Sequence, residues 1–159
     1  MDQKNYDEKF MREALKEAEK SAKELEVPVG AVIVLENKII ACGRNRRETS
    51  QNALSHAEIE AISEACKKLG SWRLIDCTIY VTLEPCPMCT GAIINSRISR
   101  VVYGAKDSKA GSCGTVINLF DFPYNHKPKL TGGILEIECS EVLTNFFKKL
   151  RNKKTEPHE

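Results

Sequence analysis

The chain has 159 residues, a formal charge of +2, and 42% hydrophobic and 29% charged residues, which suits one soluble globular domain and is too short for two comfortable ones. So small a net charge names no partner, and the longest apolar run, Val27 to Leu35, falls far short of the ~20 residues that span a bilayer. The polar start MDQKNYDEKF lacks the apolar core of a secretory signal and the seven cysteines cannot all pair, so a reducing cytoplasm is the expected location.

In chain order, Phe10, Ala14, Ala18 and Ala22 recur every four residues, with Met11, Leu15 and Leu25 beside them, which predicts a first helix over 6–25. VGAVIVL (29–35) and KIIACG (38–43), separated by Glu36 and Asn37, predict a hairpin. After the polar loop RNRRETSQNALS, a second helix is expected from Ser55, with Ile59, Ile62, Cys66 and Leu69 on one side and Gly70 as its stop. Ser55 and Glu58 spell a capping box. CTIYVTL (77–83) predicts a central strand, Met88 to Ser96 a short helix led by Pro87, and RVVYGA (100–105) a fourth strand. A short helix is expected around TVINLF (115–120), a fifth strand near LTGGIL (130–135), and a last helix from Glu136 to Arg151. The domain should occupy 1–151, followed by a polar tail over 152–159. Helices alternating with strands predict an α/β fold, one sheet with helices on both faces.

The chemistry concentrates in SHAEIEA (55–61) and LEPCPMC (83–89). Cys86 and Cys89 are expected in the first turn of a helix, where free backbone N–H groups favour thiolate over thiol. His56 is expected in the first turn of another. One nitrogen and two sulfurs suit Zn²⁺, and three protein ligands leave a coordination position open, the catalytic rather than the structural pattern. Cys77 and Cys113 are the nearest candidates for a fourth ligand, and neither has a partner at ligand spacing. Glu58 then reads either as a capping acid or as a proton carrier beside a metal-activated water. An ideal helix points residues two apart away from each other, an objection that weakens at a helix start. Cys42, Cys66, Cys77 and Cys139 read as small core side chains, and His126 as a structural loop histidine.

His-x-Glu followed by Pro-Cys-x-x-Cys is the signature of zinc nucleobase deaminases. Together with EVPVGAVIV, GRNR, SHAEIEAI, WRLIDCTIYVTLEPCPMCTGAI, SRISRVVYGAKDSKAG and FFKKLR, the chain resembles the bacterial tRNA-specific adenosine deaminases of the cytidine deaminase-like superfamily over about residues 5 to 151. The resemblance implies a three-layer α/β/α fold with a central mixed five-stranded sheet, a homodimer, and one Zn²⁺ per chain held by His56, Cys86 and Cys89. It also implies hydrolysis of adenosine to inosine at the wobble position of a tRNA anticodon, with zinc-activated water attacking C6 and Glu58 shuttling the proton. Asn45 matches the family's base-binding asparagine, and Asp107 the acid of an RNA-contacting loop. On the residues alone, Asn45 reads equally as a turn residue and Asp107 as a solvated acid.

Basic residues fall in three segments: Arg44, Arg46 and Arg47; Lys106 and Lys109; and Lys148, Lys149, Arg151, Lys153 and Lys154 beside Phe146 and Phe147. If all three rim one site, Lys106, Lys109, Phe147 and Arg151 would hold the anticodon stem-loop. Such runs are also ordinary solvated faces, Phe146 reads as core, and Phe147 stays open between core and stacking platform. DNA is not an expected partner. Two other readings remain: a deaminase of a free base such as cytosine or guanine, and a zinc-stabilised RNA-binding module without turnover.

Overall fold

The computed structural model describes residues 1–155. Five strands form one mixed sheet in the order β2-β1-β3-β4-β5, with β1 (Gly30–Leu35), β2 (Lys38–Arg44), β3 (Thr78–Leu83), β4 (Arg100–Ala105) and β5 (Lys129–Thr131). β1 runs antiparallel to both β2 and β3, whereas β3, β4 and β5 are parallel. The hairpin turn places Glu36 and Asn37 both at positive φ, the backbone of a tight two-residue turn whose twist suits the flanking strands.

Period-two alternation divides the core. Ala31, Ile33, Ile79, Val81, Val101 and Tyr103 face α3 (Ala57–Leu69) and α4 (Pro87–Asn95). Val32, Val34, Tyr80 and Val102 face α1 (Gln3–Lys23), and Cys139 of α5 (Glu136–Thr155) joins them. The expected three-layer α/β/α fold is therefore the observed one. On α1 the buried stripe is Phe10, Met11, Ala14 and Ala18, and the Asp2 side chain caps the helix by accepting from Asn5 N–H.

Antiparallel pairing determines where chemistry gathers. The start of β1 and the ends of β2, β3 and β4 all reach the same edge of the sheet: Gly30 pairs with Arg44, Ala31 with Val81, and Leu83 with Ala105. The segments entering or leaving there are 27–29, 45–47, 84–86 and 106–110. Ligands of open α/β sheets bind outside such strand ends. Gly43 sets the height of this edge, because a Cβ there would collide with the Ala57 carbonyl at the first turn of α3.

Several elements depart from the sequence expectation. α2 (Arg47–Ser50) forms within the polar loop. The expected helix at 115–120 is only a 3-10 turn, Leu119–Asp121, with Asn118 accepting from Phe120 N–H. β5 stops at Thr131 because Gly132 packs on the Tyr103 ring and Gly133 adopts φ 82°. α5 continues four residues past Arg151, to Thr155, so the expected polar tail begins as helix, and 156–159 lie outside the described residues. Cys77 and Cys139 are buried, while Cys42 and Cys66 are half-buried at the core margin. The His126 Nε2–H donates to the Ile98 carbonyl at 2.7 Å, a structural contact.

One buried ion pair ties α1 to the sheet. Asp7 accepts two bonds from Arg100, at 2.8 and 2.7 Å, together with Tyr80 O–H and Gln3. Burial raises the Asp7 pKa, but the hydrogen bonds from Arg100, Tyr80 and Gln3 outweigh it and hold the group below its ordinary 3.8. Because the folded pKa is depressed, this stabilisation is complete at neutral pH and is lost as pH falls from the ordinary carboxylate range through the folded value. Asp7→Asn should destabilise the fold by about 3 kcal/mol, since it leaves Arg100 without its charge partner. The fall in Tm should be large at pH 7 and shrink toward pH 3; an equal fall at both would contradict the linkage.

Candidate active site

His56 occupies the N-cap of α3 with extended backbone, φ −80° and ψ 155°, and Cys86 the N-cap of α4, φ −74° and ψ 175°. Pro87 follows at the first helical position, where its missing N–H costs nothing, and Cys89 lies one turn in. The two helix starts converge on one point. His56 Nδ1 is 3.6 Å from Cys86 Sγ and 3.5 Å from Cys89 Sγ, and the three possible ligand atoms lie within 4.8 Å of one another. No other group of His, Cys, Asp or Glu among the described residues forms such a cluster. Cys113 instead meets the Thr90 hydroxyl at 3.5 Å and stays outside it.

The expected capping box does not form. The helix begins one residue later than Ser55 predicts, His56 takes the N-cap, and no side chain caps it. The non-helical backbone of His56 also removes the geometric objection to His56 and Glu58 sharing a site. Glu58, 4% exposed, stands beside Cys86 and His56 and within hydrogen-bonding reach of Cys89.

The electrostatics fit a metal. The hydrogen bond from Cys89 pulls the Cys86 thiol down to about 4, with a further contribution from His56, against the cost of burial. Cys89, donating to that thiolate, is pushed up and keeps its proton. The bond to Cys86 raises His56. Two sulfurs thus share one proton that a soft divalent cation would displace. Burial drives Glu58 up to about 7, suited to exchanging a proton at neutral pH. The donor set fits Zn²⁺ and is one short of a closed structural site.

Above the cluster opens a cavity of about 550 Å³, bordered by Val27, Val29, Asn45, Arg47, Leu83, Lys106, Asp107, Lys109 and Phe147 as well as His56, Glu58 and Cys86. Asn45 is pinned: its Nδ2 donates to the Val27 carbonyl at 3.1 Å and its Oδ1 accepts from Arg47 N–H at 3.2 Å. One amide hydrogen and one acceptor position remain for a ligand. Asp107 Oδ1 accepts from Lys109 and Ala110 N–H groups, so the acid both shapes its loop and borders the cavity.

The basic residues do not all gather here. Arg44 lies at the end of β2, paired with Glu24 at 2.7 Å. Arg151 is exposed on α5 and is not among the cavity's lining residues. Lys149 and Lys153 border a separate groove between α1 and α5, together with Phe146. From α5 only Leu143 and Phe147 reach the cavity.

Two buried carboxylates carry structure that the sequence reading passes over. Glu26, 1% exposed, accepts from Glu48 and Thr49 N–H groups at 3.0 and 2.9 Å and so caps α2 from a distant segment. Glu84, 2% exposed, holds the loop after β4. The available signal was an acid set against apolar strand residues in LEVPVG and TLEPC.

Residues 5–151 match the profile of the MafB19-like deaminases. The chain is 52% identical to a tRNA-specific adenosine deaminase of Bacillus subtilis, over 93% of this chain and 92% of that protein. It is similar to a structure solved in a study of A-to-I editing by tRNA:A34 deaminases at the wobble position of transfer RNA. There the TM-score is 0.83 at 43% identity, covering 85% of this chain and 99% of the other. A guanine deaminase structure from Bacillus subtilis is more distant, with a TM-score of 0.63 at 34% identity and 99% of each chain covered.

Proposed function

The chain belongs to the MafB19-like deaminases, among the tRNA-specific adenosine deaminases, and on that premise we propose that it converts adenosine to inosine at the wobble position of a tRNA anticodon. The observation that carries this reading is the convergence of His56, Cys86, Cys89 and Glu58 at one side of an open cavity bordered by Asn45, Lys106, Asp107 and Lys109.

His56, Cys86 and Cys89 would hold one zinc per chain, which supplies Lewis acidity that lowers the pKa of a water to about 7. Glu58 takes a proton from the water that adds at C6, delivers one to N1 of the adenine, and assists departure of the amine as ammonia. Asn45 uses its two remaining hydrogen-bonding positions to orient the purine. A single-stranded loop offers its base with less unstacking than a duplex does, and an open cavity suits such a base.

Lys106, Lys109 and Phe147 hold the RNA around the base, and Asp107 accepts from a ribose 2′-OH. Arg151, farther along α5, contributes long-range attraction to phosphate. A single deaminase domain over 1–151, a homodimer and a cytoplasmic setting complete the proposal. All seven cysteines are free, in keeping with a reducing compartment. No helix among the described residues is long and apolar enough to cross a membrane.

The test is activity on matched RNA and DNA stem-loops across a salt series. Binding should weaken steeply with salt as phosphate contacts release counterions. Lys106→Ala and Lys109→Ala should flatten that slope and raise KM more than they lower kcat. Asp107→Ala should narrow the preference for RNA over DNA, and Asn45→Ala should depress turnover on both. A salt-independent enzyme that treats the two loops equally would overturn the RNA assignment.

A further inference from the structure

Glu84 borders the cavity, yet its carboxylate is fully engaged. Oε1 accepts from Asp107 N–H at 3.2 Å and from the Thr115 hydroxyl, and Oε2 accepts from Cys113 and Thr115 N–H groups, each at 3.1 Å. With two donors on each oxygen, the group is committed to the protein rather than to the reacting base. Its donors come from both ends of the segment 107–115, whose middle is closed by bonds of Lys109, Ala110 and Gly111 to Asp107. Gly111 completes the fit, because a Cβ there would run into the Glu84 carboxylate. On the other side of Glu84 lie Pro85 and Cys86. Ser112 N–H donates to the Pro85 carbonyl at 2.9 Å, a second tie between the loop and the segment that carries the sulfur ligand.

We propose that Glu84 is a positioning residue that fixes the loop of Lys106, Asp107 and Lys109 at a set distance from the metal-binding helix start, and so matches the grip on RNA to the place of reaction. This rests on the tRNA reading above. Four donors aimed at one side chain demand acceptors on both of its atoms. Glutamine presents one oxygen and one NH₂ group, and the NH₂ faces donors that it cannot satisfy. Glu84→Gln therefore frees part of the loop although it preserves shape and volume.

The sign of the effect separates positioning from simple electrostatics. Removing a negative charge beside an RNA site should strengthen binding by charge alone. Loss of positioning should weaken it, raising KM for the stem-loop on the order of tenfold, with kcat and metal content nearly unchanged. In the Asp107→Ala background Glu84→Gln should cost much less, because both act through the same loop. Amide exchange at Asp107, Cys113 and Thr115 should accelerate in Glu84→Gln whatever the substrate.

Kinetics on the anticodon stem-loop, metal analysis and amide exchange of the intact enzyme decide the matter. An unchanged or lowered KM in Glu84→Gln, with a wild type that still prefers RNA, overturns the role of Glu84 alone. A wild type indifferent to RNA overturns the tRNA reading and, with it, the loop's task. Should Glu84→Gln fail to fold, Thr115→Val removes only the hydroxyl donor. That milder variant should raise KM a few-fold at constant kcat, and an unaltered KM there counts equally against the proposal.

Discussion

Glu58→Gln is expected to lower turnover by about 10²–10⁴-fold while leaving the fold and the metal content in place. The carboxyl is buried, and burial moves its pKa to about 7. An amide of the same shape fills the same buried place beside Cys86 and His56, so the fold should tolerate it. No helix cap is lost, because α3 starts at His56 without one. The amide cannot carry a proton between water and base, so the loss should appear in kcat rather than KM. A Glu58→Gln enzyme with near wild-type kcat would leave Glu58 as an ordinary buried acid of a first helical turn.

Cys86→Ala should abolish high-affinity zinc binding and, with it, activity. Protein purified without added zinc should carry close to one equivalent per chain, as expected for two sulfurs and one imidazole held on two helix starts. Cys86 is the sulfur already poised as thiolate, down to about 4 through its bonds with Cys89 and His56. Its removal takes away one of three donors and the partner to which Cys89 donates. The helix start should survive, because Pro87 and the bond from Thr90 N–H to the Cys86 carbonyl do not need the sulfur. Full zinc content in Cys86→Ala would show that the metal is held elsewhere.

Strands and the convergence of His56, Cys86 and Cys89 were legible in the sequence because their signals are local. β-branched runs marked β1, β3 and β4 to within a residue, and Glu36–Asn37 marked the hairpin. Pro87 placed the C-x-x-C at a helix start. Distant partners hid the rest. α2 is held by Glu26, some twenty positions earlier, which accepts from its Glu48 and Thr49 N–H groups, and no local pattern encodes that. Asp107 reads from sequence alone as a solvated acid, yet its loop over 106–115 is tied to Glu84 by three backbone amides and one hydroxyl. The basic cluster near the C-terminus failed as a unit for a periodic reason. Residues close together in sequence face different ways on a helix of 3.6 residues per turn, so Phe147 borders the cavity while Lys149 and Lys153 border the groove against α1.

The most direct measurement gives the purified enzyme four kinds of substrate in parallel: free adenine, cytosine and guanine; free adenosine; a tRNA anticodon stem-loop; and its deoxyribose counterpart. Ammonia and inosine are then quantified. The expected result is inosine at the wobble position of the RNA stem-loop with equimolar ammonia, far above any product from the free bases, the free nucleoside or the DNA loop. Ammonia from free guanine or cytosine with an unaltered stem-loop would contradict the tRNA assignment while preserving a deaminase. Tight stem-loop binding with no ammonia from any substrate would contradict catalysis itself.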